Sequence, residues 1–313
     1  MSTHTIFAPP SLAVPDAEKN HSLRVTIASM LILALFAGMA VYGWDYYTMG
    51  TADRPYSSKH HALRPSGSVG IGMGLLGVSM FCTIFLYPLR KRWRWLQKRG
   101  SSKHWLDYHS LLGSAAPVCI AFHSSFKFQG MAGVAFWIMV AVAISGFVGR
   151  YLYAQIPRRV TTAELSMKES REMLAQMADE LRRQDLILQE DLQPLFHLPS
   201  AENVARWPLL DSLGYMVMVD MVMPFRVARL RLKAMGAGLI FTSVIGLFPG
   251  SDTQIERVID LARRQASLSK RIIFLSHAQR VFQLWHVIHR PFSYSFAVLA
   301  ILHITVAMVL GFM

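Results

Sequence analysis

Four of the chain's 12 histidines lie in or at the edge of apolar stretches and share one interval: His109 and His123 are 14 residues apart, and so are His289 and His303. In an α-helix, fourteen residues fall roughly 40° short of four whole turns, so the two imidazoles of each pair share a face about 21 Å apart. Neutral imidazole is an iron ligand, and two of them complete the axial coordination of a haem. Two helices carrying such pairs side by side would hold two haems, one above the other. Zinc or copper needs three or four donors converging on one point, which two levels so far apart do not supply. A single histidine at such a depth could simply pack in a bundle and hydrogen-bond a carbonyl. Ionisable groups there are rare and usually functional, however, and the repeated interval favours haem.

His286 competes with His289, because the motif is W-H-V-I-H and both begin the last apolar stretch. Its 17-residue interval to His303 does not match the first pair and turns the side chain roughly 60° further round the helix. His289 is therefore the expected ligand. His286 remains either a hydrogen-bonding partner of a haem propionate or quinone headgroup, or an interfacial polar residue. Lys127, Arg150 and Arg290 stand at the ends of apolar stretches, where they would pair with propionates or serve as interfacial anchors. Small-residue stripes, Gly70, Gly74 and Gly77 and then Gly146 and Gly149, with Gly113 near His109, suit either a flat macrocycle or close helix packing. Pro117, midway between His109 and His123, is positioned to kink that helix.

The elements that must position these residues are membrane helices. The 313 residues are 53% hydrophobic and 16% charged, with a mean hydropathy of +0.32, too apolar for a soluble domain of this size. A bilayer core needs about 20 apolar helical residues, and five stretches reach that length, approximately 24–44, 68–89, 106–126, 131–153 and 291–311. A net charge of +13 would suit nucleic acid if it formed a stripe on a polar domain. Here the cations gather beside apolar runs, as in Arg90, Lys91, Arg92, Arg94, Lys98, Arg99 and Lys103, and again in Arg150, Arg158 and Arg159. That is a topology signal: both groups are expected in the cytoplasm, with a cytoplasmic N-terminus. The third and fifth spans then run parallel, pairing His109 with His289 near the cytoplasm and His123 with His303 near the outer side. The two cysteines, Cys82 and Cys119, each stand in an apolar run and offer no disulfide framework, iron–sulfur site or C-x-x-C-H haem attachment.

Residues 1–23 read as a polar tail with no cleaved-signal pattern. An insertion over 154–283 separates spans one to four from the last, 284–313. Its segment 161–192 is charged and helix-favouring, with Thr161 and Glu164 in capping-box spacing. Residues 208–249 are expected to be an amphipathic pair lying at the interface, with a two-span hairpin as the other reading. The fold class is thus all-α, a polytopic bundle of about five spans with a helical cytoplasmic insertion.

W-L-D-Y-H at 105–109, A-F-H-S-S-F-K-F-Q-G at 121–130, S-G-F-V-G-R-Y-L-Y at 145–153 and W-H-V-I-H-R-P-F at 285–292 resemble bacterial diheme cytochrome b-like membrane proteins. The arrangement is similar to the transmembrane domain of ferric reductases and NADPH oxidases, over residues 60–160 and 280–313. The resemblance implies two haem b groups on His109, His123, His289 and His303, and location in a bacterial inner membrane. It does not extend to a flavin and nicotinamide domain, because no G-x-G-x-x-G follows a strand–helix pattern in these residues. Electrons are then expected from the quinone pool or a donor subunit and to pass to a partner redox protein, which makes this an electron-transfer subunit of a membrane oxidoreductase. A structural or assembly subunit of a larger membrane complex is the alternative, for which the Met-rich insertion would suit docking. A transporter reading is weaker, since no paired inverted repeats occur. His60 and His61, in H-H-A-L-R-P-S-G, are either an ordinary polar loop or a contact for a quinone, a third haem or a partner.

Overall fold

Apolar chain in a bilayer must satisfy its backbone internally, which for a single segment means a helix. The computed structural model describes residues 16–156, 163–235 and 252–311, and among them it is all helix and turn, with no strand. The order is α1 (Asp16–Thr48), a 3-10 turn (Arg54–Tyr56), α2 (His60–Leu63), α3 (Ser68–Arg90), α4 (Arg94–Gln97), α5 (Ser102–His123) and α6 (Gly130–Gln155). It continues with α7 (Ala163–Arg183), α8 (Gln189–Phe196), α9 (Ala201–Ala205), α10 (Leu209–Met235), α11 (Thr253–Ile273) and α12 (Leu275–Val309). The sequence expectation of an all-α, multi-pass membrane protein holds.

Four described helices are long and apolar enough to cross a membrane: Glu18–Thr48, His60–Arg90, Gly130–Gln155 and Leu275–Val309. The expected third span forms α5, but α5 is not among the four. Its length of 22 residues suffices, yet His104, Asp107, His109, Ser110 and Ser114 dilute its apolar character. What α5 lacks in apolarity it makes up in packing on its neighbours. The Thr161–Glu164 capping box and the second half of 208–249 lie outside the described residues.

The chain divides into two compact units, Met1–Val148 with Ile288–Met313, and Gly149–Val287. In the first, α3 and α5 pack closely around Met73, Met80, Ala115, Ala116, Cys119 and Phe122. Small residues permit it: a Cβ on Gly77 would lie 2.6 Å from Ile120 Cδ1. α1 joins at one end, where His21 donates to Asp107 at 3.0 Å and stacks on His104 with ring centroids 3.6 Å apart, while Glu18 pairs with Lys103 and His104.

Both ends of the α3–α5 hairpin are closed by a buried guanidinium. Arg90 donates to the Ser102 hydroxyl and to the carbonyls of Gln97 and Gly100, at 2.7, 3.1 and 2.9 Å. Arg54 donates to the carbonyls of Met49, Ser125 and Tyr47, at 3.1, 2.6 and 2.9 Å. The Arg54 end needs this support, because Ser125 and Phe126 turn the chain after α5 with φ of 52° and 60°, in the left-handed region that side chains disfavour. Ser125 also donates to the Leu63 carbonyl at 2.6 Å.

In the second unit, α7, α8, α10 and α11 share a core that includes Leu181, Leu192, Leu195, Leu230, Ile259 and Ala262. The Asp220 carboxylate of α10 accepts from Tyr151 at 2.8 Å and Gln155 at 3.2 Å, and pairs with the buried Lys270 of α11. Burial holds the Lys270 ammonium below its ordinary range, with Asp220 opposing that shift.

Replacing Arg54 with Met would leave three carbonyls without their donor. Each unmet buried acceptor costs about 1–3 kcal/mol, so the variant should lose at least about 2 kcal/mol of stability. Thermal unfolding in detergent checks this, and an unchanged Tm would show that the clamp is dispensable.

Candidate functional site

The α5 histidines are seated by α3. His109 Nδ1 lies 3.2 Å from the Ile84 carbonyl, and His123 Nδ1 lies 2.9 Å from the Gly70 carbonyl. A carbonyl only accepts, so both rings carry a proton on Nδ1, and in the neutral imidazole this leaves the lone pair on Nε2. The two carbonyls are themselves 14 residues apart on α3, the interval of the two histidines, so one antiparallel register serves both bonds.

Local sequence makes each carbonyl reachable. Inside a helix, the Ile84 carbonyl would accept from residue 88, but Pro88 has no N–H to give. His109 supplies the donor that the proline removes. At the other level the opening is steric: a Cβ on Gly74 would lie 2.8 Å from His123 Nδ1, so a residue larger than glycine would crowd the ring away. The Gly70–Gly74–Gly77 stripe therefore serves close packing and the seating of one imidazole.

α6 does for His289 what α3 does for the α5 pair. The Ser145 hydroxyl donates back to the Val142 carbonyl at 2.8 Å and so accepts from His289 Nδ1 at 2.7 Å. His289 too has its proton on Nδ1. His303, the fourth expected ligand, is exposed, with no described hydrogen bond, and lies within electrostatic range of His123.

His109 shares its end of the unit with Tyr87, 5.2 Å between ring centroids, and Tyr87 in turn lies 5.4 Å beneath the Lys91 ammonium. Lys91 is within electrostatic range of both His109 and Arg290. Burial first, and the Arg290 guanidinium second, hold the Lys91 ammonium below its ordinary value. Hence Arg290 and His109 share one level and His123 and His303 share the other. Lys127 is exposed just past α5. His286 and Arg150 belong to the second unit. There His286 Nδ1 donates to the Phe282 carbonyl of its own helix at 3.0 Å, against the rings of Phe282 and Trp285.

Sequence reading missed Ser145, Pro88 and Lys91. A serine in the apolar stretch preceding Arg150 was a signal for the first, and a proline four residues past Ile84 was one for the second. Lys91 is hidden among neighbouring cations.

Among the described residues, no three or more histidine, cysteine, aspartate or glutamate side chains gather as a metal site. A haem asks for less, two axial donors per iron. Three of the four expected donors fit that demand: the imidazoles of His109, His123 and His289 each have Nδ1 anchored to a carbonyl or hydroxyl, the partner arrangement that orients metal-ligating histidines. A Cβ on Gly113, one turn from His109 on the same face, would meet nothing within 4 Å. Comparison with protein-family models, with curated proteins and with solved structures finds no match. The chemistry of the site thus rests on its own geometry.

In haem-free protein labelled with 15N-histidine, His109 and His123 should resonate as Nδ1–H tautomers. Gly74→Ala should disturb His123 while leaving His109 as it was. Nε2–H forms at these positions in the unaltered chain would refute the seating.

Proposed function

We propose that this chain moves electrons across a bilayer on two haem b groups, one held by His109 and His289 and the other by His123 and His303. The observation that carries the reading is the paired seating of His109 and His123 on the Ile84 and Gly70 carbonyls. It directs two neutral imidazoles through Nε2 at levels about 21 Å apart by helix rise. When bound, each haem supplies a one-electron iron couple tuned by its ligands and surroundings.

The chain's own residues set the conditions. Ile84, Gly70 and Ser145 fix tautomer and ring orientation, which raises the basicity of the ligating nitrogen. Lys91 and Arg290 put positive charge at the His109 level, which favours the reduced, less positive iron there. The resemblance to bacterial diheme cytochrome b-like proteins supports the same ligand set and an inner membrane location, and the cations beside the apolar runs support a cytoplasmic N-terminus. Electrons enter from quinol or a donor subunit and leave to a partner redox protein, so the chain is an electron-transfer subunit.

The purified chain, saturated with haem, should carry two non-covalent haem b groups by pyridine haemochrome assay, all released by acidified acetone. His109→Ala and His289→Ala should lose the same haem, and His123→Ala and His303→Ala the other. One haem per chain, or none, is the result that defeats the proposal. Ser145→Ala should weaken haem retention at the His289 level by about 10–100-fold.

Arg290→Gln removes positive charge near one level only, so the midpoint potential of the His109–His289 haem should fall while the other stays nearly constant. Redox titration with resolved spectra reads both. Equal shifts at the two levels would detach Arg290 from the His109 site without touching the ligand assignment.

A further inference from the structure

Away from the histidines, α10 displays an apolar stripe that its own unit does not use. Ser212, Met216, Val219, Val227 and Leu230 face inward and are buried. Leu210, Met218, Met221 and Phe225 face outward, 80%, 47%, 69% and 67% exposed, with Gly214 between the first two. The spacing of four, four, three and four residues keeps them on one side of the helix, over a length of about 22 Å. Asp220, Arg226, Arg229, Arg231 and Lys233 interrupt this helix, and it is not among those apolar enough to span.

We propose that this stripe lies in the surface of the same bilayer that the chain's spans cross, with anionic lipid headgroups as its partners. Three observations select that occupant. The first is charge. The exposed Arg206, just before α10, and the exposed Arg229, one turn past Phe225, bracket the stripe, and neither has an ion-pair partner among the described residues. Asp211, in the first turn, is the one acid on its flank. Apolar side chains between cations match the layering of acyl chains beneath phosphates.

Connection comes second. The unit begins at Gly149 within α6 and ends at Val287 within α12, and both helices are long and apolar enough to cross a membrane. Its two ends are thus fixed to the bilayer. The third observation is area. A stripe about 22 Å long and one helix, about 10 Å, across offers roughly 200 Å², far below the roughly 800 Å² per partner of a stable protein interface. A second copy or a docking protein would find too little to hold, whereas a bilayer needs only to receive four side chains on a unit it already tethers.

The test uses the full chain in nanodiscs, with Cys82→Ser and Cys119→Ala, and a single Met221→Cys carrying an environment-sensitive fluorophore. Arg263→Cys, at an exposed position on the outer face of α11, is the reference, and circular dichroism checks that each variant keeps its helix content. In discs containing phosphatidylglycerol, the label at 221 should emit blue-shifted, be quenched by brominated lipid and lose most of its quenching by acrylamide, unlike the label at 263. Adding Arg206→Gln and Arg229→Gln should reverse much of that protection in anionic discs and change little in phosphatidylcholine discs. A label at 221 as open to acrylamide as that at 263 overturns the proposal. So does protection that appears only with two chains per disc, which would identify a second copy, or protection indifferent to both lipid charge and the two arginines, which would remove the headgroup partner. None of these readouts depends on haem.

Discussion

The antiparallel register of α3 and α5 is the constraint on which the described site depends. Two side-chain bonds at the same interval fix it, from His109 to the Ile84 carbonyl and from His123 to the Gly70 carbonyl. Each bond relies on a residue that does no chemistry. Pro88 withholds a donor from one carbonyl, and Gly74 withholds bulk from in front of the other. A helix normally consumes its own carbonyls and shields them with side chains, so it makes a poor partner for a neighbour's imidazole. Proline and glycine undo those two obstacles separately.

Close packing is also what holds α5 among the apolar helices of its unit. Its polar residues set it apart from the four helices that qualify as spans on composition, and most of them have protein partners. Asp107 bonds to His21, His104 to Glu18, and His109 to α3. Arg90 and Arg54 complete this arrangement at the two ends by gathering turn carbonyls that lipid would leave unsatisfied. A polar helix can sit among apolar ones when its neighbours answer its hydrogen bonds one by one.

Much of this was legible in the sequence because hydropathy and interval are one-dimensional properties. Four of the five expected spans coincide with helices long and apolar enough to cross a membrane, although α1 begins at Asp16, inside what reads as tail, and α12 begins at Leu275, well ahead of residue 291. The repeat of His109–His123 in His289–His303 was equally visible. The groups that hydrogen-bond those histidines were not. That Ser145 meets His289, or that Ile84 rather than another carbonyl meets His109, depends on the rotation of two helices about their axes, and hydropathy fixes that rotation only to within a broad face. The glycine stripe on α3 was ambiguous for the same reason, since a gap for a cofactor and a gap for a neighbouring helix use the same residue. For α10, charge and apolarity were read together along the chain, and only the fold separates Asp220, turned to Lys270 and Tyr151, from the exposed Arg229.

Because one register serves both histidines, the stretch of α3 between Gly70 and Ile84 behaves as a ruler. Its lipid-facing side chains can change without moving either carbonyl, provided that the Gly74 and Gly77 gaps, the buried Met73 and Met80 and the proline four residues after position 84 are kept. Its length cannot change. One residue inserted or deleted there would turn the far end by about 100° and slide it by about 1.5 Å, so whichever histidine kept its acceptor, the other would lose it. The segment is therefore permissive to substitution on its outer face and intolerant of indels anywhere, the opposite of a surface loop, and its residue count carries as much structural information as its packed residues.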